Sequence, residues 1–394
     1  MASTAAMSGI KIIDVDTHLT EPHDLWTSRA PRKWAEKVPR VVEIDGQPMW
    51  TIDGTILGRA GASGVVRNDG SKSRGAEFMS WVIGDVHPAA YDVGARLEVM
   101  DELGIWAQIV YPNAAGFGGQ KFGTGPLDPE LQLLCVSLYN DAMAEMQEES
   151  GQRLFPMALL PWWDLDASVR EVERAKDLGL RGVNTNADPQ NQGLPDLGER
   201  RWDPLWEVCS SLGLPVNFHI GASETQHTWF GSSPWPSMGP DEKLAIGSAM
   251  IYLSNARILS NLIFSGVLER FPELSIVSVE SGIGWIPFIL DALDYQLQET
   301  VPGASEYLSM KPSEYFRRQI YGCFWFEQRD LPHIIETVGT DRVMFETDFP
   351  HPTCLYPDSL GAAAPGLNEL APDVLYQVLC GNAARVYSLP LADA

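Results

Sequence analysis

Residues with the types and spacing of a metal site occur at separate points along this chain. Asp16 and His18 stand two apart in KIIDVDTH. On an extended strand, residues two apart project to the same side, so a carboxylate and an imidazole can reach one point. His219 falls near the end of PVNFHI, and Asp348 ends VMFETD. These four form a mixed nitrogen and oxygen donor set that suits one divalent ion, Zn2+ or Mn2+. Glu280 ends a further apolar run, LSIVSVE. Beside a metal such a carboxylate can ligate the ion. It can also take a proton from water whose pKa the ion lowers towards ~7 or, once desolvated, protonate a carbon. His351, three residues past Asp348, is the second candidate catalytic group. A single polar residue at a strand end is ordinary capping. Asp, Glu or His at four strand ends points to a shared partner.

Such residues need strands that end at one mouth. Eight short β-type runs, at 11–16, 107–111, 154–160, 182–186, 215–220, 274–280, 320–326 and 343–348, alternate with helical patterns. The helical stretches are 93–103, 130–148, 167–178, 204–212, 242–271 (two helices), 285–297 and 331–338. Strand–helix alternation predicts an α/β fold, and eight units predict a (β/α)8 TIM barrel with its site at the C-terminal strand ends. No Gly-rich phosphate loop follows the first run, which argues against a doubly wound sheet. Residues 40–90 interrupt the pattern between the first two strands. VVEIDGQPMWTIDG predicts a hairpin around Asp45-Gly46, followed by a Gly/Ser-rich stretch. An excursion of that length is expected to act as a lid or partner surface. Residues 1–394 are read as one domain with 40–90 as an insertion. A second long loop, 221–239, carries Trp229 and Trp235.

Composition narrows the partners. The 394 residues carry 28 Lys plus Arg against 52 Asp plus Glu, a net charge of −24. That balance repels phosphate backbones and anionic lipid surfaces, so neither nucleic acid nor membrane is expected as a partner. Five separated cysteines without a CxxC predict free, buried thiols in a reducing compartment. With no signal-like N-terminus and no apolar run of membrane length, a cytoplasmic protein is expected. Thirteen Trp are present. Trp26, Tyr111, Trp229, Trp285 and Trp325 fall at or near strand ends or mouth loops. They are the candidate substrate-binding residues for a flat, aromatic small molecule.

The opening Asp14-Val15-Asp16-Thr17-His18, followed by Glu21-Pro22-His23-Asp24-Leu25-Trp26, resembles the amidohydrolase-related family. Further matches are residues 91–105 with Val110-Tyr111-Pro112, then Asn217-Phe218-His219, residues 271–285, residues 345–351, and Gly381-Asn382-Ala383. This branch of the amidohydrolase superfamily contains aminocarboxymuconate-semialdehyde decarboxylase and γ-resorcylate decarboxylase. The resemblance implies one catalytic metal on Asp16, His18, His219 and Asp348, and a homodimer or homotetramer. Two departures stand out. The first strand reads Asp-x-His where His-x-His or Glu-x-His is commoner, and Glu280 stands where the decarboxylases carry a catalytic His. The fourth run, GVNTN, has no lysine to carry a carbamate bridge between two metals. The expected reaction is carbon–carbon cleavage that releases CO2 from an aromatic or enol-type acid. The alternative is a hydrolase in which Glu280 activates metal-bound water. A non-catalytic scaffold would be favoured by missing ligands, and all four are present.

Overall fold

A computed structural model describes residues 4–61, 63–223, 226 and 235–391. Strands β1 (Ile12–His18), β5 (Ile105–Tyr111) and β6 (Leu154–Pro156) form one parallel sheet. β7 (Ala158–Leu159), β8 (Val183–Asn184), β9 (Val216–His219), β10 (Ile276–Val279), β11 (Ile320–Phe324) and β12 (Val343–Phe345) form a second, in sequence order. The run at 154–160 thus divides. β6 pairs with β5 and β7 with β8, and Met157 between them still donates to the Val110 carbonyl at 3.0 Å. At the other end of the two sheets, Asp348 N donates to Asp16 O at 3.0 Å and His18 N to Phe349 O at 2.8 Å.

Side-chain alternation sorts the core. Ile13 and Val15 of β1 pack with Ala107, Ile109, Val277, Val279, Cys323 and Met344, drawn from both sheets. Ile12 and Val110 join the larger cluster formed with the helices. Period-2 strands with both faces apolar are the pattern of parallel strands covered by helices.

The helices are α1 (Val93–Leu103), α2 (Pro129–Glu149), α3 (Leu165–Asp177), α4 (Asp203–Leu212), α5 (Pro240–Ile251), α6 (Ser254–Phe264), α7 (Val267–Arg270), α8 (Ile286–Thr300), α9 (Pro312–Gln319) and α10 (Leu331–Val338). Three more, α11 (Ser359–Leu367), α12 (Pro372–Tyr376) and α13 (Asn382–Val386), close the chain. The two helices expected in 242–271 are three, because Gly266 adopts φ 72° and breaks the chain between α6 and α7. No helix among the described residues is long and apolar enough to cross a membrane.

Between β1 and β5 lies a separate antiparallel sheet of β2 (Arg40–Ile44), β3 (Gln47–Ile52) and β4 (Thr55–Arg59). Asp45 and Gly46, with φ 51° and 73°, make the β2–β3 turn. The chain then returns over the strand ends. Val65 N donates to Pro350 O at 2.9 Å, and the Asp241 carboxylate of α5 accepts from Ala76 N at 2.8 Å.

Candidate active site

The C-terminal ends of four strands bring the expected donors together. His219 Nε2 lies 3.1 Å from His18 Nε2, 3.4 Å from an Asp16 oxygen and 3.5 Å from a Glu280 oxygen. His18 Nε2 lies 3.6 Å from Asp16 and 3.8 Å from Asp348. Ligand atoms of Asp16, His18, His219 and Glu280 all fall within 4.8 Å of one another, and so do those of His18, Glu280, Asp348 and His351. All six residues are buried.

Local backbone aims them. A register irregularity in the β1–β5 pairing falls between Asp14 and Thr17, where Asp16 sits. Glu280 and Asp348 follow their strands in left-handed conformations, with φ 53° and 59°. Such conformations cost non-glycine residues about 1–2 kcal/mol and persist where the surroundings impose them.

The electrostatics suit a cation. Among the described residues neither Asp16 oxygen accepts a hydrogen bond, and Asp348 Oδ1 likewise accepts none. Buried carboxylate oxygens without donors are costly, and a metal ion removes that cost. Burial pushes the Asp16 pKa up. Burial, then repulsion from the charges of His351 and His219, pushes the His18 pKa well down, so its imidazole stays neutral, the form that binds metal. His219 Nδ1 sits 2.6 Å from the Ile220 carbonyl oxygen and donates to it, which leaves Nε2 as the free donor atom. Burial, then the charges of Asp348, Asp16 and Glu346, raises the Glu280 pKa well above the ordinary carboxylate range.

His351 stacks on His18 with ring centres 3.5 Å apart. Its Nδ1 lies 3.3 Å from Asp348 and its Nε2 3.0 Å from Asn113 Oδ1. Buried Glu21 fixes Asn113 in turn, accepting from the backbone N–H groups of Asn113 and Ala114 at 2.8 and 2.9 Å. Behind the cluster, fully buried Arg96 donates to the carbonyls of Ala89 and His18 and, at 3.0 Å, to Gln108. Gln108 donates to Asp14, which also accepts from the Thr347 amide and hydroxyl. This network ties the strand bearing Asp16 and His18 to the segment bearing Asp348.

A cavity of about 310 Å³ opens above the cluster, lined in part by Glu280, His351, Asn113, Phe117, Ile220 and Tyr252. Residues of α5 and of the segment after β4 complete its walls. Sequence reasoning missed Asn113, Phe117 and Tyr252. The Phe117 ring is 4.3 Å from His219 and 5.0 Å from His18. A signal was available in the Gly-rich GFGG at 116–119. A Cβ on Gly118 would stand 2.5 Å from Thr185 O, so only glycine lets this loop cross the strand ends.

Four of the five aromatic residues expected at the substrate lie outside the lining of this cavity. Among the described residues, none of Trp26, Tyr111, Trp285 and Trp325 lines the cavity. Trp26 is fully buried, packs on Trp50, Phe122 and Tyr139, and donates to the Cys135 carbonyl at 2.9 Å. Tyr111 lies close to the cluster, its ring 5.1 Å from His219 and its hydroxyl facing Asn217 and Tyr387. Trp285 caps the Ser281 carbonyl. Trp325 packs on Tyr252 and Phe326, one layer behind the wall. Trp229 lies outside the described residues. Trp26→Ala should therefore cost about 3–5 kcal/mol of stability through lost packing and leave KM unchanged. Thermal unfolding beside steady-state kinetics checks this, and a raised KM at unchanged Tm would return Trp26 to the pocket.

Comparison with known proteins identifies the family and the fold. Residues 13–389 match the family model described as Amidohydrolase. A γ-resorcylate decarboxylase of Rhizobium sp. (strain MTP-10005) is 26% identical over 269 residues, covering 65% of this chain and 76% of the relative. The crystal structure of an amidohydrolase from Mycobacterium avium subsp. paratuberculosis K-10 superposes with TM-score 0.73 at 21% identity, covering 96% of this chain and 99% of the other. A dihydroxybenzoic acid decarboxylase from Polaromonas sp. JS666, holding manganese and the inhibitor 2-nitroresorcinol, gives TM-score 0.60 at 20% identity over 97% and 98% of the two chains. At such identities the superpositions establish a shared fold.

Proposed function

The chain belongs to the amidohydrolase family, and from that premise we propose that it is a metal-dependent carboxy-lyase releasing CO2 from an aromatic or enol-type carboxylic acid. The observation that carries this reading is the double exposure of Glu280. Its carboxyl lies 3.5 Å from His219 inside the donor cluster, and its side chain also lines the cavity. An acid is thereby held where a substrate carboxylate at the cluster would place its neighbouring carbon.

Asp16, His18, His219 and Asp348 hold one divalent ion, Zn2+ or Mn2+, in this reading. Bound there, the ion supplies the charge that anchors the carboxylate and offsets negative charge as the bond breaks. Glu280, in its acid form, gives its proton to the carbon bearing the carboxylate. The carbon–carbon bond then breaks, its electron pair returns to the ring, CO2 leaves, and Glu280 regains a proton from solvent. His351, held between Asn113 and Asp348 through its two ring nitrogens and stacked on His18, positions the His18 ring and offers its face to the substrate. Phe117 and Tyr252 offer apolar faces to a flat ring. The γ-resorcylate decarboxylase relatives support the reaction class.

The second reading, a hydrolase with Glu280 as base towards water, is favoured by the same proximity of Glu280 to the donors. Protein loaded with Mn2+ or Zn2+ and supplied with 2-hydroxybenzoates should release CO2 without incorporating ¹⁸O from labelled water. Label in the product of an ester or amide, with no CO2 from any acid, would replace the lyase by the hydrolase.

The scaffold in this proposal is a closed (β/α)8 TIM barrel, one domain over 1–394 with 40–90 inserted. Hydrogen bonds between β1 and residues 348–349, and the core shared by both sheets, support closure. The working form is a homodimer or homotetramer, supported by Phe288 and Tyr295 at 74% and 61% exposure on α8. The five free cysteines are all buried, in keeping with a cytoplasmic protein.

A further inference from the structure

The cavity has one-sided chemistry. Glu280, His351 and Asn113 belong to or adjoin the donor cluster, whereas Leu244, Ile251, Phe78 and Met79 form an apolar wall. The hydroxyl-bearing residues that line the cavity, Ser63, Ser248, Tyr252 and Thr353, are neutral. No lysine or arginine lines it among the described residues. The long loop at 221–239, GASETQHTWFGSSPWPSMG, contains neither. Of the cations near the cavity, Arg74 and, on α5, Lys243 are not among its lining residues, and three others are engaged elsewhere. Arg59 donates to the carbonyls of Met79 and Ser80, Arg67 pairs with Glu77 at 2.9 Å, and Lys72 donates to the Cys354 carbonyl.

A second carboxylate lying along this wall would lose its water and gain no cationic partner. Apolar groups there would gain by leaving water. A volume of about 310 Å³ stands at the small end of ligand pockets, which run from ~300 to ~1,000 Å³. We infer that the acid taken by this site carries a single anionic group, bound at the donor cluster, and an uncharged body of one ring with a short apolar substituent directed between α5 and Phe78–Met79. This deepens the carboxy-lyase reading and rests on it for the placement of the carboxylate.

The test measures binding by calorimetry to Mn2+-loaded protein. The probes are 2-hydroxybenzoate, its 4-propyl derivative and its 4-carboxy derivative. The propyl compound should bind roughly tenfold tighter than the parent, and the carboxy compound at least ~10-fold weaker. Leu244→Arg, which places a cation on the apolar wall, should reverse that order, with its Tm confirming a folded protein. Equal or tighter binding of the carboxy compound to the unmodified protein overturns the inference, as does failure of all three probes to bind. CO2 release, followed in parallel, separates the two proposals. The expected binding order without CO2 from any probe would uphold the single-charge rule and remove the lyase reading.

Discussion

His219→Ala should abolish stable metal binding and take activity with it. His219 is fully buried, and its Nε2 is the atom closest to the other donors, 3.1 Å from His18, 3.4 Å from Asp16 and 3.5 Å from Glu280. Its Nδ1 is committed to the Ile220 carbonyl, so the ring cannot turn its other nitrogen inward without breaking that bond. Removing a group that merely supports a metal ligand costs ~10–100-fold in affinity. Removing the central donor should therefore cost more than ~100-fold, with activity falling in parallel. Asp348→Ala should act in the same direction, because Asp348 Oδ1 accepts no hydrogen bond and faces His18 and His351, while its Oδ2 is held by the Thr353 hydroxyl. Metal analysis of protein passed over a chelating column reads the result. Full occupancy in either variant would remove that residue from the donor set.

Glu280→Gln should lower the rate ~10²–10⁴-fold while metal content stays at the level of the unmodified protein. Glutamine preserves shape and removes the transferable proton. The pH profile adds a sign. In the ion-free site burial, then the charges of Asp348, Asp16 and Glu346, raises the Glu280 pKa, and an ion held by Asp16 and Asp348 lowers it again. An acid in the rate-limiting step gives a rate that holds at low pH and falls as pH rises through the pKa of Glu280. That falling limb should vanish in Glu280→Gln. A base towards water gives the opposite slope, with the rate rising through the same interval. Loss of metal together with rate would make Glu280 a ligand, as its place within 4.8 Å of Asp16, His18 and His219 permits. Full rate with full metal would sink every catalytic role assigned to it here.

The donor cluster was legible in the chain because each member is marked locally. Asp16 and His18 share one strand, and His219, Glu280 and Asp348 each stand at the end of a buried β-type run. Parallel strands bring such ends to one side of the sheet, so the residues converge although they are 332 positions apart at the extremes, 348 − 16. The metal chemistry followed from residue type, since carboxylate and imidazole are metal donors wherever they meet.

The cavity lining was not legible in the same way. Trp26 and Phe117 are both aromatic residues following a strand, yet Trp26 packs into the core beside Cys135 and Phe117 lies across the mouth. The difference comes from partners far away in sequence. α2 receives the Trp26 indole, while the absence of a Cβ at Gly118, against Thr185, lets the Phe117 loop lie flat. The apolar wall needed α5 and residues 78–79 to be brought together, which Asp241 helps to do by capping Ala76. Sequence alone thus determined which atoms could bind a metal and which strand ends present them, because those properties reside in single residues and a period of two. Tertiary structure decided what the metal faces, because a pocket is bounded by side chains whose direction is set by long-range packing.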